Sequence, residues 1–106
     1  MNSVKEATDA LLSAIKSSEE YLSYRDVLEK VLQDPALKAQ IDEFRRRNFM
    51  LQTSQDIDFE KLDRFEKEYE YFRQNPLVSD FLAAEVDLCR MIQDITMRIT
   101  GEIDFQ

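Results

Sequence analysis

The sequence predicts an all-α chain of about five helices, in which a central antiparallel helical hairpin and a long C-terminal helix build an oligomeric helical bundle. Three observations carry this prediction. Glycine occurs once and proline twice in 106 residues, while 34% of the residues are charged and 43% apolar, a profile that suits helices and lacks the turn residues of a β protein. Apolar side chains recur at spacings of three and four along most of the chain, and no strand-like alternation interrupts them. The same helix-opening chemistry appears twice, as Asp34-Pro35 and Asn75-Pro76. One helical domain over residues 1–106 is expected, able to bury roughly 65% of its unfolded surface if it packs compactly.

The first helix is predicted to start at Ser3, whose hydroxyl can accept the Glu6 N–H while the Glu6 carboxylate reaches back, a capping box. Val4, Ala7, Leu11 and Ile15 then form one stripe. Serines favour caps over helix interiors, so "KSSEEYLSY" predicts a break near residues 17–18, with Ser17 and Glu20 repeating the capping pattern. A second helix runs from there to Leu32 with Tyr21, Tyr24, Leu28 and Val31 on one row and Val27 and Leu32 beside it.

Asp34 and Asn75 have short side chains that accept hydrogen bonds at a helix N-terminus, and the following proline occupies the first helical position, where its missing N–H is no loss. The residue before a proline is pushed out of the α region, so the chain bends at each pair. From Pro35 the third helix places Leu37, Ile41, Phe44 and Leu51 on one stripe, with Asn48 either fixing the register of a helix seam or sitting where the stripe meets solvent. The polar linker "SQDID" follows, in which Asp56 or Asp58 can cap a fourth helix with the stripe Leu62, Phe65, Tyr69 and Phe72. So short a connection sets these two helices antiparallel, with their apolar rows facing.

The fifth helix, Pro76 to about Ile99, is the most apolar element and roughly 36 Å long at 1.5 Å per residue. Leu77, Phe81, Ala84, Leu88, Met91 and Ile95 define one row, and Val78, Leu82, Val86, Cys89 and Ile92 widen it. A stripe this broad exceeds what one facing hairpin covers, and an uncovered apolar ridge is unusual on a monomer. Burying one large apolar side chain contributes about 1.5–3 kcal/mol, more than exposed ion pairs offer. The ridge therefore predicts self-association into a homodimer or higher homo-oligomer. Its interface residues are Phe81, Leu82, Glu85, Leu88, Met91, Ile92 and Ile95. Glu85, flanked by apolar neighbours, is read either as a rim carboxylate paired with Arg90 or a lysine of another helix, or as a contact for a partner.

Several chemistries are excluded or disfavoured. The chain has no histidine, which removes the usual general base and the commonest metal ligand. One cysteine builds neither a disulfide nor a tetrahedral zinc site, and there is no glycine-rich phosphate cradle. No catalytic residue, cofactor or metal site is expected. Cys89 is read as a small hydrophobe on the widened stripe. Acids are plentiful, Glu66 and Glu70 lying one turn apart, so a carboxylate-rich metal-binding bundle is the alternative; it lacks the histidine half of the usual di-metal motif. The net charge is −8, with thirteen acids against six bases in residues 55–106, which opposes strong nucleic-acid binding. Arg45, Arg46 and Arg47 are the exception; they are read as a solvated face pairing with Asp42 and Glu43, with weak RNA binding as the other reading. No apolar run approaches the roughly 20 residues of a membrane span, so no membrane insertion and a cytoplasmic location are expected.

The order of these features resembles the YlbF/YmcA family of small bacterial helical proteins. The resemblance rests on the Ser-Glu-Glu-Tyr break at residues 18–21, the helix start at Asp34 and Pro35, and the closing Phe81, Leu82, Ala84 and Glu85 continued by Leu88, Ile92 and Ile95. It runs from about Ala7 to Phe105. It implies a non-catalytic adaptor that self-associates through its long C-terminal helix. Family members dock protein partners, some of them in a complex that modulates the endoribonuclease RNase Y and thereby competence, biofilm formation and sporulation. Some members carry additional C-terminal cysteines implicated in iron–sulfur binding by that complex; here only Cys89 is present, in mid-helix.

Overall fold

The structure is a computed structural model describing residues 2–54 and 58–103, which contain six helices and no strand. They are α1 (Ser3–Lys16), α2 (Glu19–Leu32), α3 (Pro35–Thr53), α4 (Phe59–Glu68), α5 (Glu70–Arg73) and α6 (Pro76–Glu102).

Each boundary follows from local chemistry. Asn2, one residue before the predicted cap, opens α1: its side-chain oxygen accepts the Lys5 N–H at 3.2 Å, and Ser3 is already helical. The break between α1 and α2 falls where the serines predict it, but Ser18 is the cap; its Oγ accepts the Tyr21 N–H at 3.2 Å, and Ser17 closes α1. Asp34 accepts from Leu37 at 3.1 Å and Asn75 from Leu77 at 3.0 Å, each directly before its proline. Asp58 caps α4 through the Glu60 N–H at 3.0 Å. Asp56, the other candidate, lies outside the described residues. The predicted fourth helix divides at Tyr69, whose φ and ψ of −102° and 7° leave the helical region, making α4 and the single turn α5.

The closest helix pair is α2 against α6, with α3 laid on α2. Val31 of α2, Ile41 of α3, and Val78 and Phe81 of α6 are fully buried there, with Leu37 beside them. Tyr24, Val27 and Leu28 extend this core along α2, the Tyr24 ring 5.6 Å from that of Phe81. A second, aromatic cluster joins α3 to α4 and α5: Phe44 stacks on Phe65 at 5.5 Å and meets Tyr69 at 5.0 Å and Phe72 at 5.5 Å. The hairpin expected from the sequence is thus held through rings.

Both clusters lie in the first part of α6 or outside it. The consequence is an extended, thin molecule of 53 × 39 × 17 Å with a radius of gyration of 17.8 Å, against about 13 Å for a compact chain of this length. Its accessible surface is 8469 Å², roughly 2,300 Å² above the ~6,200 Å² expected for a compact monomer of its mass.

Candidate functional site

Large apolar side chains are exposed along α6 beyond its second turn and on α1, as they also are at Phe49, Met50, Phe59 and Tyr71 of the hairpin. Along α6, Val86, Ile92, Met97 and Ile99 are exposed, as is Ile103 just after it; Ile92 is 44% and Met97 68% open. On α1 no residue is buried, although Val4, Leu11 and Leu12 are large and apolar. The two helices meet in an open groove of about 410 Å³, where Leu11 faces Ile95, Ile99 and Ile103, with Arg98 and Glu102 at its edge. Thr96 and Thr100 donate their hydroxyl hydrogens to carbonyls of α6 itself, at 2.9 and 3.0 Å, so their polar groups are satisfied within the helix. What remains is an apolar face with polar margins, suited to another helical surface.

The residues singled out from the sequence divide along α6. Phe81 is fully enclosed by the chain's own core and is not open to another molecule; it lies close enough to Pro76 for α2 and α3 to cover it. Leu82 is half-buried against that core. Leu88, Met91 and Ile95 are half-buried, and Ile92 is exposed. Met97, Ile99 and Ile103 extend the exposed face further than the spacing argument took it, and α1 adds to it. The signal for α1 was in its stripe Val4, Ala7, Leu11 and Ile15. Cys89, expected to pack as a small hydrophobe, is instead free and exposed.

Glu85 finds its partner on another helix, and that partner is Arg45 of α3 in place of Arg90. The Arg45 Nη2 lies 2.8 Å from Glu85 Oε2, an oxygen with almost no solvent contact, in an ion pair that is off the line of a hydrogen bond. Arg45 also lies 3.8 Å from Asp42, and Arg46 holds Glu43 at 2.6 Å, as expected of a paired face. Arg47 reaches across the hairpin to grip both oxygens of Glu68, at 2.6 and 2.9 Å, and donates to the Tyr69 hydroxyl at 3.0 Å. These bonds hold the Glu68 carboxyl below its ordinary pKa and raise that of Arg47; the Arg46 bond likewise lowers Glu43. All three arginines are engaged internally, which leaves little of the triplet for a phosphate backbone.

Asn48 is half-buried, its side-chain oxygen 3.4 Å from the Gln52 amide nitrogen on the same helix. Glu66 and Glu70 share a shallow hollow with Lys67 and Arg73. Among the described residues no three acids, cysteines or histidines cluster as metal ligands would, and no helix is long and apolar enough to cross a membrane.

Comparison with known proteins gives a consistent picture. Residues 4–104 match the family model described as control of competence regulator ComK, YlbF/YmcA. Similar relatives include a UPF0342 protein of Caldicellulosiruptor bescii, 26% identical over all of this chain and 92% of its own length. Another, from Desulfitobacterium hafniense, is 31% identical over 94% of this chain and 83% of its own. A third, from Symbiobacterium thermophilum, is 30% identical over 88% and 86%. No solved structure matches at a comparable significance.

Proposed function

This chain belongs to the YlbF/YmcA family, and from that premise we propose that it is a non-catalytic regulatory adaptor of the cytoplasm, which self-associates through α6 and α1 and docks other proteins. The observation that carries the reading is the surplus of roughly 2,300 Å² over a compact monomer, near the upper end of the roughly 1,000–2,500 Å² that each subunit gives to an obligate interface. It coincides with exposed apolar side chains at Leu11, Ile92, Met97 and Ile99. Leu82, Leu88, Met91, Ile92 and Ile95 are the proposed contact residues on α6, with Glu85 at their margin. The mechanism is stoichiometric: the protein gathers or masks partners, in the family's setting a complex that modulates RNase Y-dependent mRNA processing, competence, biofilm formation or sporulation.

The test is recovery of the tagged chain from its native host, in parallel with Leu88→Glu and Ile92→Glu. The reading expects the wild type to co-purify with a second copy and with proteins of the ribonuclease complex in fixed ratio, and both variants to lose them. A wild-type chain that returns alone contradicts it.

A further inference from the structure

The hairpin of α3 with α4 and α5 carries a second surface that the self-association face does not use. Two open hollows lie along it, of about 1000 Å³ and about 550 Å³, and both are lined by Glu43 and Glu68. They therefore adjoin at these two residues, and we treat them together as one trough. Leu37 and Phe72 line the half nearer Pro76, with Tyr71 largely exposed at its side. Met50, Leu51 and Phe65 line the half nearer the hairpin tip. Leu37 to Leu51 spans about 21 Å along α3 at 1.5 Å per residue, the length of a four-turn helix.

The charge is uneven along the trough. The tip half collects Arg46, Arg47, Lys61 and Arg64 in a chain whose net charge is −8. Arg46 and Arg47 are bound to Glu43 and Glu68, but Lys61 and Arg64 have no carboxylate partner among the described residues. The other half holds Gln40, Gln74 and Asn75 and no cation. Resting on the adaptor reading above, we infer that this trough takes an amphipathic helix of a partner protein, about four turns long, with carboxylates gathered at the end that lies over Lys61 and Arg64. A helix in a groove offers apolar side chains at i, i+3 and i+4 to the floor, while its charged end is fixed by complementarity. Glu43 and Glu68 already neutralise Arg46 and Arg47, which leaves Lys61 and Arg64 to attract an anion, and the apolar floor favours a helix face over a nucleic-acid backbone.

The experiment selects 16-residue helix-biased peptides from a displayed library against the full chain. The enriched peptides are then measured by fluorescence anisotropy against wild type, Lys61→Glu/Arg64→Glu, Lys61→Arg/Arg64→Lys and Leu88→Glu, with circular dichroism confirming that the variants stay helical. The expected result is peptides with acids at one end and apolar residues at helical spacing, at least tenfold weaker on the charge-reversed variant and retained on the charge-conserving one. Peptides that bind the reversed variant as tightly as wild type, or no enriched peptide at all, overturn the trough. Peptides lost only on Leu88→Glu place docking on α6, which overturns the trough and leaves the adaptor reading intact. Binding of a 20-nucleotide single-stranded RNA that disappears in the reversed variant also overturns it, by making the patch a nucleic-acid surface.

Discussion

Arg45 and Glu85 join α3 to α6 with 2.8 Å between Nη2 and Oε2, and the same guanidinium lies 5.9 Å from the centre of the Phe81 ring. One side chain thus meets both a fully buried ring of the core and an acid flanked by the apolar residues of α6. The Glu85 side chain is 22% exposed and that of Arg45 42%, so the pair is partly shielded from water. A double-mutant cycle with Arg45→Ala and Glu85→Ala, followed by urea unfolding, is expected to give a coupling of about 0.5–1 kcal/mol. A coupling of zero would mean the contact is incidental.

Phe81→Ala should cost about 3–5 kcal/mol, because a fully buried ring leaves a cavity between α2 and α6. That is a large part of the ~5–15 kcal/mol typical of a domain's stability, and thermal unfolding will show it at any protein concentration. Ile92→Ala should behave differently. Its cost is expected to grow with protein concentration, since the side chain is exposed in the single chain and the proposed second copy would shield it.

Removing the cap at Asp34 is expected to cost about 1 kcal/mol in Asp34→Ala and much less in Asp34→Asn, since either carboxylate or amide oxygen can accept the Leu37 N–H. Denaturant midpoints of the two variants, compared at constant m, decide this.

Acid should weaken the hairpin through Glu68. Arg47 holds the folded carboxyl below its ordinary value of 4.5, so between those two values the unfolded chain takes up a proton that the folded chain does not. The stabilisation is complete above the unfolded value and is lost as pH falls through the folded one. Glu68→Gln removes it, so the stability gap between wild type and variant should be constant well above 4.5 and shrink as pH falls below that value. A gap that widens in acid contradicts the assignment.

Much of this fold was legible in the chain. Asp34-Pro35 and Asn75-Pro76 declare their helix starts because cap and proline act within three residues, and both starts are where the pairs put them. The one-residue displacements at Asn2 and Ser18 arise because each has a neighbour of equal capping ability, and only the backbone angles choose between them. The division at Tyr69 left no trace, since Leu62, Phe65, Tyr69 and Phe72 keep helical spacing through it. Which helix shelters which is a tertiary fact. The cover that α2 gives Phe81, the exposure of Cys89, and the pairing of Glu85 with Arg45 all depend on helix placement that no local spacing encodes.

The apolar face of α6 and α1 is proposed to be completed by a second copy of the chain. Sedimentation equilibrium over roughly 1–100 µM, on wild type and on Leu88→Glu, tests it most directly. The expected result is a whole multiple of the 12.6 kDa chain mass for the wild type and 12.6 kDa for a still-helical variant. A wild type that stays at 12.6 kDa throughout, or a variant with unchanged oligomer mass, would contradict it.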